Sequence, residues 1–169
     1  MNVFDFAMNI ERSGSQFYGQ MANRVQESGP KTIFRMVAKD EKKLINKFRD
    51  MKNRLGTLTM EDSKALDRVT NPFEEPSLKE NALQLKTDLE AYAYVIGIEK
   101  QLCRLFENAA RQEPDEQVKA LLLKVAEEEK KELESLRSVR DFVNAPDEYL
   151  AWGEFSNIGE FHNFGRDEG

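Results

Sequence analysis

The sequence predicts an all-α protein: an antiparallel four-helix bundle with one long crossover between the second and third helices and an aromatic-rich C-terminal tail. Three observations predict it. The 169-residue chain is 40% apolar and 33% charged, with only nine Gly and five Pro, a composition that suits helices better than a sheet. Apolar residues recur at steps of three and four along four separate stretches, which places them on one stripe of a helix. Finally, an offset of 88 residues superposes the second pair of stretches on the first.

The first stripe reads Phe4, Ala7, Glu11, Gly14, Tyr18, Met21, Val25, on a helix expected from Asn2 to just before Gly29-Pro30. The second reads Phe34, Val37, Glu41, Leu44, Phe48, Met51, Leu55, on a helix from about Lys31 that Gly56 would stop. Thr87-Asp88-Leu89-Glu90 has the form of a capping box, so the third helix is expected over Asp88–Gln112, with the stripe Tyr92, Val95, Glu99, Leu102, Phe106, Ala109. Pro114 is placed in the first turn of a fourth helix running to about Phe142, striped by Val118, Leu122, Val125, Glu129, Glu132, Leu136 and Val139. Short turns make each pair a hairpin. The crossover, residues 56–87, is long enough to run back along the bundle, leaving the second and third helices parallel, and it carries weak helical signals at Glu61–Val69 and Ser77–Leu85.

The bundle therefore spans residues 1–142 and the tail 143–169. Tyr149, Trp152, Phe155, Phe161 and Phe164 make the tail too aromatic for a disordered segment, so it is expected to pack on the bundle or on a partner subunit.

The net charge of −6, with no basic patch, argues against nucleic acid or an anionic membrane surface as the main partner. No apolar run is long enough to span a membrane, and the N-terminus lacks the form of a secretory signal, so a cytoplasmic protein is expected. The lone Cys103 fits a reducing compartment and reads as a small buried hydrophobe.

Each stripe holds a glutamate, and the offset sets Glu11 on Glu99 and Glu41 on Glu129. One such glutamate could sit at a stripe edge and reach water, but four in register point to a core. A buried carboxylate costs several kcal/mol unless a cationic side chain, a proton or a bound cation compensates it. The stripes contain no Lys, Arg or His, although a flanking side chain such as Arg104 could reach in. Protonation would neutralise one or two groups. A pair of divalent cations accounts for both the number and the placement.

These residues resemble a known group. The E-x6-Y of Glu11 to Tyr18 and the A-x2-E of Ala38 to Glu41, with their counterparts in the second half, look like the ferritin-like di-iron carboxylate proteins, most closely the rubrerythrin branch, over roughly residues 2–142. The resemblance implies a di-metal centre of two iron ions, or alternatively manganese or another hard divalent cation. Glu11 and Glu99 would be the single-glutamate ligands, Glu41 and Glu129 the bridging ligands, and Glu132 a glutamate where other members carry histidine. Tyr18 would hydrogen-bond a ligand carboxylate. The implied activity is peroxide reduction or oxygen and iron handling, in a homodimer, with electrons from a separate donor protein. Three departures bear on this: Leu44 stands where a histidine ligand is expected, Leu102 where a further glutamate is expected, and the rubredoxin-like cysteine module is absent. An all-oxygen site favours hard ions. The only histidine, His162, lies in the tail, where a surface or packing role is expected over one as the missing imidazole. The alternative to a redox protein is a bundle that binds metal or a partner without redox chemistry.

Overall fold

The computed structural model describes residues 1–55 and 62–160, with side chains described as far as residue 145. The two hairpins form as expected. Helices α1 (Val3–Arg24) and α2 (Ser28–Leu55) pair along their length, and so do α4 (Asp88–Gln112) and α5 (Glu116–Glu160). Between them the crossover holds two 3-10 turns, Leu66–Arg68 and Pro72–Glu74, and the short helix α3 (Pro76–Leu83). Among the described residues the only β pairing is an isolated bridge, Asn2 to Asp62.

The helix ends follow local chemistry. Asn2 caps α1 by accepting from the Asp5 amide at 3.0 Å. Thr87 and Glu90 close both halves of the expected capping box at the start of α4. Gly29 and Pro30 lie inside the first turn of α2, where a missing proline amide costs nothing. At α5 the cap is Asp115, whose Oδ1 accepts from the amides of Gln117 and Val118 at 2.8 and 3.0 Å, so Pro114 precedes the helix rather than opening it. Instead of a helix over Glu61–Val69, the described part of that segment has one 3-10 turn; Gly56 and Glu61 lie outside the described residues.

Helices α2 and α4 run parallel, as the long crossover requires. A Cβ at Gly29 would collide with the Asp88 side chain, and further along the pair Phe34 and Tyr94 meet edge-on at 6.1 Å between ring centroids. Positions that rise together along both helices mark parallel neighbours.

The last helix departs from expectation. It does not stop near Phe142 but continues to Glu160. The change in composition at Asn144 does not stop the helix, which passes through Pro146 although a proline inside a helix gives up one backbone hydrogen bond. The packing expected of Tyr149, Trp152 and Phe155 concerns side chains beyond the described ones, and Phe161, His162 and Phe164 lie outside the described residues. Among the described residues, no helix is long and apolar enough to cross a membrane.

The core is one continuous apolar cluster drawn from all four long helices, with Leu66, Phe73 and Ala82 added by the crossover. The stripes bury as expected, apart from Met51 and Leu55 at the end of α2, which are half-buried, and two positions on α5. Val139 is exposed, and Glu132 is only half-buried because the inward path passes through Leu133.

Candidate metal centre

Glu11, Glu41, Glu99 and Glu129 each sit mid-helix on the inward stripe, so the helical period that buries their apolar neighbours buries them too. All four are enclosed, with Glu41 the most accessible at 2%. The six oxygens Glu11 Oε1 and Oε2, Glu41 Oε2, Glu99 Oε2, and Glu129 Oε1 and Oε2 are buried without a hydrogen-bond donor. Carboxylate oxygens only accept, and an unsatisfied buried acceptor is expensive.

Of the three compensations open to these charges, the structure removes one. No Lys, Arg or His among the described residues is buried, and Arg104 faces solvent. Burial instead raises the carboxyl pKa values, and mutual repulsion adds to it. Glu11 is held well above the ordinary range by burial and then by the charges of Glu129 and Glu41. Glu99 is likewise raised by burial and by Glu41 and Glu129, against the opposing hydrogen bond from Tyr18. Glu41 rises to about 7 and Glu129 to about 8, burial leading in both and the neighbouring Glu11 carboxyl opposing it. In the metal-free protein, therefore, burial and mutual repulsion favour the protonated form of these carboxyls.

Tyr18 is fully buried, and its hydroxyl donates to Glu99 Oε1 at 2.9 Å, fixing that carboxyl and leaving Oε2 turned to the cluster. Glu132 stands at the rim. Its pKa is raised by partial burial and by Asp40, while Lys43 and Lys47 pull it down. It still adds repulsion to Glu41, Glu99 and Glu129, so its charge is felt inside. Leu44 and Leu102 are both buried. Cys103, one turn beyond Glu99, is a buried free thiol pushed up to about 12 by burial and by Glu129 and Glu99, which makes it an inert filler.

Two features escape sequence reasoning. Phe73, from the crossover, packs against α1 beside Gly14, and a Cβ on Gly14 would lie 2.9 Å from Phe73 Cζ and 3.2 Å from Glu41 Cδ. Glu113, at the end of α4, is buried and accepts from Ser63 Oγ at 2.5 Å, tying the crossover to the α4–α5 turn. Neither pair is close in sequence, so no local pattern marks it.

Hard oxygen donors without partners, grouped in a dry core, fit a hard divalent cation. The glutamates are gathered at one level without being contracted around a point: among the described residues no three His, Cys, Asp or Glu form a ready-made cage. An all-α bundle with one inward glutamate on each long helix is the architecture of the ferritin-like carboxylate proteins. A profile of the Rubrerythrin family matches residues 2–139, and the chain belongs to that family. No curated protein matches it. Among solved structures it is similar to a hypothetical protein from Pyrococcus furiosus, at 15% identity and a TM-score of 0.45, over 89% of this chain and 90% of that one.

Proposed function

We propose that this chain is a di-metal carboxylate protein that holds two iron ions, or manganese or another hard divalent cation in their place, and reduces peroxide or handles oxygen and iron. The observation that carries the reading is the set of six buried carboxylate oxygens with no donor, supplied by Glu11, Glu41, Glu99 and Glu129. Glu132 at the rim would complete the ligand set. Bound there, redox-active ions would supply the one-electron steps that cleave an O–O bond, with electrons from a separate donor protein.

The chain's own residues do the rest. The apolar shell excludes water, which strengthens every charge interaction inside it. Tyr18 holds Glu99 in one orientation. The protons that burial holds on these carboxyls leave when a cation enters, so uptake releases protons. A homodimer and a cytoplasmic location are part of this proposal. The exposed Phe142, at 81%, offers an apolar contact for a second copy, and the free Cys103 suits a reducing compartment.

The buried Leu44 and Leu102 favour a second reading, a bundle that binds ions or a partner without redox chemistry, since each puts a hydrocarbon where the family carries a donor. Protein purified from iron- and manganese-supplemented cells is expected to carry about two ions per chain by elemental analysis. Added ferrous iron should stabilise it by roughly 2–3 kcal/mol at a hundredfold excess over Kd. A chain that stays metal-free, with an unmoved melting temperature, sinks the di-metal reading. Metal retained without single-turnover oxidation by peroxide leaves the second one.

A further inference from the structure

Between α1 and the crossover lies an open cleft of about 270 Å³, bordered by Ser13, Gln16, Gln20, Glu74 and Lys79, with the buried rings of Phe17 and Phe73 at its base. Phe73 is also the residue next to the carboxylate cluster. Its ring meets Tyr18 edge-on at 5.7 Å and Phe17 at 5.7 Å between centroids, and its tip reaches into the space that Gly14 leaves open. Across that same space stands the carboxyl carbon of Glu41, whose Oε2 has no partner. One aromatic ring thus separates an open surface cleft from a buried, unsatisfied carboxylate.

We infer that the cleft is the port by which a small uncharged solute, of the size of water, dioxygen or hydrogen peroxide, reaches Glu41, with Phe73 as its gate and Gly14 as the opening behind it. The inference rests on Glu41 being a working carboxylate of the proposed centre.

The chemistry of the cleft selects this class of solute. Its polar border is mainly hydroxyl and amide, from Ser13, Gln16 and Gln20, with one acid and one base that balance in charge. It therefore offers hydrogen bonds without a net field to draw or repel an ion. The ring behind it admits only what slips past when it tilts. The gate belongs to the crossover, which is tied to α1 beside it: Asn71 Oδ1 accepts from the Phe73 amide at 3.0 Å, and Asn71 Nδ2 donates to Ser13 Oγ at 2.8 Å. The ring is thus anchored at its backbone and held at its tip by packing alone. At Gly14 any side chain would push into Phe73 or Glu41, so glycine is what keeps the passage short.

The test uses the metal-free full-length chain, diisopropylcarbodiimide, which forms a stable adduct on carboxyl groups, and mass spectrometry to read each site. In Phe73→Ala the labelling rate at Glu41, relative to that at Glu129, is expected to rise roughly tenfold, because a plug is removed on one side of the cluster only. Phe73→Leu keeps an apolar filler in place and should give a smaller rise in the same ratio. A ratio unchanged in both variants, whether through no labelling or through equal labelling of all buried carboxyls, overturns the port. Since no metal is present, this outcome is independent of the metal-loading result that decides the proposed function.

Discussion

At the scale of single residues, the buried glutamates and the leucine beside them decide what the centre can hold. Leu44 occupies the same stripe as Glu41, one turn on, and is 7% exposed. A histidine there would bring a neutral nitrogen donor toward the Glu11 and Glu41 side of the cluster without adding a further negative charge to it. Leu44→His is expected to tighten ferrous iron by about 10-fold, the lower end of what even a residue that only supports a ligand contributes, at a stability cost of about 1–3 kcal/mol for placing an imidazole in an apolar niche of the metal-free protein. Isothermal titration with ferrous iron under anaerobic conditions reads the first quantity and urea unfolding the second. Unchanged affinity would mean that this position does not face the ions. Glu132 is the other half of the same asymmetry. The repeat sets it against Leu44, and it reaches the rim rather than the interior because Leu133 takes the inward place.

At the scale of elements, the start of α4 fixes the register in which Glu99 meets Tyr18. Thr87 Oγ1 accepts from the Glu90 amide at 3.2 Å, and Glu90 Oε2 accepts from the Thr87 amide at 3.3 Å and the Lys86 amide at 2.7 Å. Thr87→Ala removes half of this box and should cost about 1 kcal/mol of global stability. In a domain of this size that is a fall of about 2–4 °C in Tm by calorimetry. The Tyr18–Glu99 contact lies well inside the helix, so the near-ultraviolet signal of the folded protein should be retained. The crossover contributes by a different route. Ser63 and Glu113 pin it to the α4–α5 turn, the Met1 amino group pairs with Asp67 at 3.1 Å, and Tyr94 donates to the Leu78 carbonyl at 2.6 Å. These ties set Phe73 over Gly14.

At the scale of the whole molecule, four acids in one core couple stability to pH. Glu41 and Glu129 titrate in the folded protein at about 7 and about 8, and Glu11 and Glu99 are raised well beyond the ordinary range. A carboxyl whose folded pKa is raised binds more protons folded than unfolded, so its contribution is fully present below the unfolded value and is lost as pH rises through the folded one. The metal-free protein should therefore be most stable near pH 5 and lose several kcal/mol by pH 8, since each tenfold gain in a carboxyl's proton affinity on folding is worth about 1.4 kcal/mol. Bound cations demand ionised carboxylates, so the stabilisation given by added metal should grow over the same interval. Thermal melts from pH 5 to 8, with and without manganese, test both slopes. A metal-free Tm that climbs with pH would mean that the acids are not protonated in the folded core.

The sequence by itself determined the helices, the hairpin pairing, the parallel crossover and the four inward glutamates, because helical period and end-capping act over a few residues and the 88-residue offset sets two of the glutamates on the other two. The family followed from the same positions. What only the tertiary structure decided lies in contacts between distant segments. Glu132 yields the interior to Leu133, because which of two neighbours faces inward depends on how α5 rotates against α2. The last helix runs on to Glu160, since a polar composition leaves helix and coil nearly equal in energy until the chain is in place. The juxtaposition of Phe73, Gly14 and Glu41 joins three elements whose closeness no periodicity encodes, and it exists only once the crossover has folded back over α1.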